Sequence, residues 1–114
     1  MYLIQQITSN PLQKQTLVLQ DGTSVTLIMY FRPLQTGWFI NEITRGDFTL
    51  YGLRITNSPN MLNQFRNQIP FGLACFSTAN REPSQQQDFL SGASKLYILE
   101  QDEVDEYAEF LRLG

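Results

Sequence analysis

Alternation of apolar and polar residues with a period of two runs through the first half of the chain and predicts strands rather than helices. Tyr2 to Ile7 reads as a first strand ending at the turn-forming run Ser9-Asn10-Pro11. Gln13 to Gln20 and Ser24 to Phe31 then flank Asp21-Gly22, a strong hairpin signal. The apolar pattern selects the loop length. A three-residue loop with Gly22 in the left-handed region puts Leu17, Leu19, Val25, Leu27 and Met29 on one face, whereas a two-residue loop sets Leu17 and Leu19 beside Ser24 and Thr26. The longer loop is therefore predicted. The opposite face, with Thr16, Val18, Thr26 and Ile28, is only half polar.

The stretch Gly37 to Gly52 is aromatic and β-branched on both sides of Gly46-Asp47, and predicts a second hairpin whose last strand runs on towards Ile55. Its apolar residues fall on both faces. One face can pack on the domain's own core, so the second face needs another layer of the domain or a neighbouring chain. Downstream, Asn57-Ser58-Pro59-Asn60 is a loop ahead of a short helix over Met61 to Asn67, where Met61, Leu62 and Phe65 have helical spacing. Phe71 to Ser77 is a short apolar strand, Thr78 to Gln87 a polar flexible loop, and Lys95 to Glu100 a last strand. A helix over residues 101–113 follows, with Asp102 as N-cap and Asp105 three residues on. Val104, Tyr107, Ala108 and Leu111 form its docking stripe, leaving Phe110 and Leu113 for a partner.

With 114 residues the chain is read as one domain over 1–114, able to bury roughly two-thirds of its unfolded surface without staples. Only 17% of the residues are charged, below the usual figure of about 25%. Twelve glutamines fill that gap, and a neutral amide costs less to desolvate at a protein contact than an ion does. The net charge of −3, with eight basic residues scattered along the chain, argues against sequence-specific binding of nucleic acid. The N-terminal run lacks a basic region and a long apolar core, and no apolar run reaches membrane-spanning length, so a protein without a signal peptide or membrane anchor, made in the cytoplasm, is expected.

Catalytic chemistry finds little to work with. There is no histidine, and Cys75 is the single cysteine, lying in the apolar run Phe71 to Phe76 where a thiol behaves as a small hydrophobe. No metal or cofactor site is expected. Arg45-Gly46-Asp47 matches an integrin-recognition triplet, but Gly-Asp is ordinary turn chemistry. Paired-acid hydrolysis would need a carboxylate pair such as Glu42 with Asp47, and the sequence announces no concave site for one. Six of the eleven carboxylates, Glu100, Asp102, Glu103, Asp105, Glu106 and Glu109, sit in the last fifteen residues, without the glycine and ligand spacing of a calcium loop. They read as a solvated acidic helix face.

The order of these features resembles a known family. Thr16-Leu17-Val18-Leu19-Gln20-Asp21-Gly22, the strand Gly37-Trp38-Phe39-Ile40, the segment Tyr51-Gly52-Leu53-Arg54, Asn60 to Phe65, Phe71-Gly72-Leu73 and Leu96-Tyr97-Ile98-Leu99 together look like the small baseplate plug proteins of contractile-tailed bacteriophages, typified in a cyanophage baseplate. The likeness runs from Gln13 to Leu99 and does not include the helix after Glu100. It implies a structural virion protein, assembled in the host cytoplasm into the baseplate beneath the tail tube. Its partners there would be hub, spike and tube proteins, with the tape measure a further candidate, and copies of itself around the tail axis. The acidic cluster Glu100 to Glu109 would then face a conduit that must not retain DNA.

The expectations are thus a mainly β fold, a small antiparallel β-barrel or sandwich with a short internal helix and a C-terminal helix, and a non-enzymatic role in assembly. The candidate interface residues are Trp38, Phe39, Tyr51, Phe110 and Leu113. A small β-barrel adaptor that recognises a peptide or a carbohydrate through the aromatic hairpin and the Thr78 to Gln87 loop is the alternative.

Overall fold

Strand alternation decides which side of each sheet turns inward, and two antiparallel sheets are stacked through their apolar faces. The computed structural model describes residues 2–4, 7–19, 22–65, 71–78 and 81–113, the side chains of residues 65 and 113 excepted. The strands are β1 (Tyr2–Leu3), β2 (Leu12–Val18), β3 (Ser24–Arg32), β4 (Gly37–Arg45), β5 (Phe48–Arg54), β6 (Gly72–Ser77) and β7 (Ser94–Leu99). Two helices, α1 (Asp88–Ser91) and α2 (Gln101–Leu113), complete the regular structure, with single turns of 3-10 helix at Pro33–Gln35 and Asn63–Phe65. One sheet has the order β2-β3-β4-β5 and the other β1-β7-β6. This is a sandwich rather than a barrel, with α2 as a third layer on the three-stranded sheet.

The first hairpin forms with the predicted loop. Leu17 pairs with Val25 and the Leu19 N–H donates to Thr23 C=O at 2.8 Å, which leaves three residues between the paired positions, with Gly22 at φ 87°. In the second hairpin Arg45 pairs with Phe48 across Gly46-Asp47, and Gly46 has φ 58°. The Arg45 side chain turns inward, its Nε donating to Thr23 Oγ1 at 3.1 Å and its guanidinium lying over Phe71, so the Arg-Gly-Asp triplet is not displayed as a unit.

The expectation of two apolar faces in the Gly37 to Gly52 hairpin needs correction. Ile28 pairs with Glu42 but Met29 pairs with Ile40, so Asn41 is an extra residue, a bulge in β4. Beyond the bulge the alternation changes phase: Trp38 and Ile40 point into the core, and so does Ile43, three residues further on. β5 makes the same phase change, with Leu53 and Leu50 both packed on the core, across Gly52 at φ 71°, a backbone that glycine tolerates. Much of the apparent second face is the first face continued after a slip.

Trp38 is fully buried, which overturns its place among the interface residues. Its ring meets Phe31 at 5.4 Å and Phe89 edge-on at 5.7 Å, and its Nε1–H donates to Gln85 C=O at 3.1 Å. That bond also fastens part of the segment expected to be a flexible loop. Asp88 accepts from Arg81 through both carboxylate oxygens, at 2.7 and 2.8 Å, and takes the Ser84 and Gln85 N–H groups on Oδ2. Residues 81–87 are held by these contacts.

The expected helix at Met61 to Asn67 is replaced by the 3-10 turn Asn63–Phe65, and residues 66–67 lie outside the described residues. The backbone ahead of that turn is claimed by β6: Met61 N–H donates to Leu73 C=O, and buried Asn60 Oδ1 accepts from both Leu62 and Leu73 N–H. The C-terminal helix forms as predicted, but its cap lies earlier than Asp102. Glu103 Oε1 accepts the Glu100 N–H at 3.1 Å, the reach-back half of a capping box with Glu100 at N-cap.

Candidate interaction surface

Register places the outward side chains of the four-stranded sheet in rows that cross all four strands. Leu12, Tyr30, Phe39 and Arg54 form the row nearest the β3–β4 turn; Lys14, Ile28, Glu42 and Tyr51 form the next; Thr16, Thr26, Thr44 and Thr49 form the third. The face is therefore graded, aromatic and cationic at one end and hydroxylated at the other. Tyr51 is 68% exposed, and Leu12 and Val18 also stand in solvent.

The aromatic end is assembled by cross-strand neighbours. The Tyr30 and Phe39 rings stack at 5.5 Å with 19° between their planes, the Arg32 guanidinium lies 4.8 Å from the Tyr30 centroid, and the Arg54 guanidinium lies 5.3 Å from that of Phe39. Each such contact contributes about 0.5–1 kcal/mol at an exposed site. Gly37 makes room for this arrangement, since a Cβ there would lie 2.7 Å from Arg54 Nη2. At the hydroxyl end, the Thr44 Oγ1–H lies 3.3 Å from Glu42 Oε1, and the Thr44 and Thr49 hydroxyls lie 3.3 Å apart.

Of the interface residues expected from sequence, Phe39 and Tyr51 share this face in neighbouring rows. Trp38 is on the opposite, buried side. Phe110 is exposed on α2, away from the sheet face, and the Leu113 side chain lies outside the described residues. Tyr30, Arg32 and Arg54 were missed, although the half-apolar alternation of Thr26 and Ile28 points to the face on which Tyr30 and Arg32 lie. The acidic cluster divides: Asp102, Asp105, Glu106 and Glu109 are exposed on α2, while Glu100 and Glu103 are half-buried at its start. Gln101 Nε2 donates to Asp105, and Arg112 clasps Glu109.

The remaining chemistry is subdued. Burial, reinforced by the charge of Glu82, pushes the Cys75 thiol up to about 12, so it holds its proton at neutral pH and is a poor nucleophile. The Arg81 guanidinium, helped by the Gln85 and Ser84 N–H groups, holds the Asp88 carboxyl below its usual value against the opposing effect of burial. Among the described residues, no group of three or more Cys, Asp or Glu side chains is placed to hold a metal, and no helix is long and apolar enough to cross a membrane.

No protein-family model matches the chain, and no curated protein matches it in sequence.

Proposed function

We propose that the chain is a non-enzymatic structural subunit of a contractile phage tail, a plug component of the baseplate beneath the tail tube, that docks on hub, spike or tube proteins through the open face of its four-stranded sheet. The observation that carries this reading is the aromatic-cationic end of that face. Tyr30 and Phe39, stacked on each other with the Arg32 guanidinium over both rings and that of Arg54 over Phe39, form a platform of the residue types that dominate binding energy at protein contacts. The resemblance to the baseplate plug proteins supplies the tail, and the glutamine-rich composition suits a surface that is desolvated on assembly.

Incorporation into tails tests the proposal. Phe39→Asp and Tyr51→Asp should each abolish recovery of the chain in assembled tails while the purified variant still unfolds cooperatively as a folded protein; normal incorporation of both would overturn the reading. An adaptor that recognises a peptide or carbohydrate is favoured by the same platform as a second reading. It predicts saturable binding of such a ligand by the isolated chain, lost in Phe39→Asp, together with no association with tail proteins.

A further inference from the structure

The β3–β4 connection ends in an apolar knob with no cover. Leu34 is completely exposed, at 101% of its reference area, on the 3-10 turn Pro33–Gln35. The knob is pre-formed: Pro33 starts the turn, and Thr36, left-handed at φ 46°, donates its N–H back to Pro33 C=O at 3.2 Å. Two cations border it. Arg32 Nη1 reaches Gln35 Oε1 at 3.4 Å, and Arg54 Nη2 reaches the Gln35 carbonyl at 3.4 Å, so both guanidiniums belong to the tip as well as to the ring stack.

On the other side of the sandwich, an apolar groove runs between α2 and β6. Phe76, Leu99, Tyr107 and Phe110 line it, and Phe110 is 68% exposed. Its rim is anionic: Glu103 and Glu106 border it directly, and α2 carries five carboxylates against the single guanidinium of Arg112. A large apolar side chain flanked by two positive charges and an apolar groove edged by negative ones are complementary in both shape class and charge, and they occupy separate surfaces of one chain.

We infer that two copies of this chain bind each other by seating the Pro33–Leu34 tip of one in the α2 groove of the next, with Arg32 and Arg54 against Glu106 and its neighbours. Because knob and groove are different patches, the contact repeats from copy to copy and closes into a ring or runs on as a filament. A single turn in a groove buries less than the 1,200–2,000 Å² of a stable standard interface, so the isolated contact is weak and gains strength by multiplication in a closed assembly. The inference does not depend on the tail proposal: self-association is a property of the purified chain, whereas incorporation requires other proteins.

Sedimentation of the full-length chain at rising concentration tests it. The wild type should associate, and the association should weaken steeply between about 0.05 M and 1 M salt, where the screening length falls to about 3 Å. Leu34→Asp and Phe110→Lys, both at exposed positions, should each lower the association constant about tenfold or more without shifting thermal unfolding. Decisively, Leu34→Asp retains an intact groove and Phe110→Lys an intact tip, so an equimolar mixture should form heterodimers when neither variant associates alone. A wild type that stays monomeric to about 1 mM, association unaffected by Leu34→Asp, or a mixture at about 1 mM that associates no more than either variant alone would each overturn the inference.

Discussion

The outer faces of the two sheets are treated differently by the same chain. On the three-stranded sheet, Ala74 and Leu99 are buried beneath α2 through Val104, with Tyr97 packed against them. On the four-stranded sheet, Tyr51, Leu12 and Val18 remain in solvent, and Tyr30 and Phe39, half-buried, stack on each other beneath the guanidiniums of Arg32 and Arg54. Both faces are half apolar in sequence. The difference is a local amphipathic segment that follows β7 directly and folds back on the first sheet, whereas the second has no comparable neighbour among the described residues. An uncovered face that orders its rings and cations is the surface the proposed docking uses.

Adjacent residues of β4 give the strongest way to break this comparison. Trp38 faces the core and Phe39 the open side, so Trp38→Ala should cost about 3–5 kcal/mol in denaturant unfolding, and Phe39→Ala, which loses the Tyr30 stack and the guanidinium contacts, about 1–2 kcal/mol. Equal losses would mean that the outer face is structural. Uncovering the three-stranded sheet should come next. Val104→Ala removes buried methyl groups at the α2 contact and should cost about 2 kcal/mol, with α2 amides exchanging faster than those of β3 and β4.

Smaller effects sharpen the picture of what holds Trp38 in place. Asp88→Asn should cost about 1–2 kcal/mol at neutral pH, a figure reduced because Arg81 keeps 37% of its side chain in water. The folded state lowers the Asp88 value, so its stabilisation is complete above the ordinary carboxylate value of about 3.9 and disappears as pH falls through the lower folded-state value. The stability gap between wild type and Asp88→Asn should accordingly close below about pH 4, measured by urea unfolding across pH. Last, Glu103→Ala removes the reach-back bond to the Glu100 N–H and should cost about 0.5–1 kcal/mol, read as earlier thermal loss of helical circular dichroism.

Legibility in the sequence followed locality. The β2–β3 register was readable because one loop length alone aligns Leu17 and Leu19 with Val25 and Leu27, and α2 because Val104, Tyr107, Ala108 and Leu111 share a helical stripe beside acids at its start, although Leu111, near the end of the helix, is exposed. The bulge at Asn41 was not readable, since a phase slip and a two-faced strand produce the same string of apolar letters. That ambiguity placed Trp38 on the surface when its neighbours Phe31 and Phe89 enclose it. Arg32 and Arg54 are twenty-two positions apart and join one aromatic stack through β4, which no local pattern announces.

The sequence by itself determined the period of each strand, the left-handed glycine of the first turn, the extent of the last helix and the scarcity of reactive groups, because those depend on residues within a turn or two of each other. Tertiary structure decided the phase of β4 after its bulge, the anchoring of residues 81–88 to Trp38 and Asp88, and which apolar face stays open. Burial is settled by what packs across the sheet, and those partners arrive from distant parts of the chain.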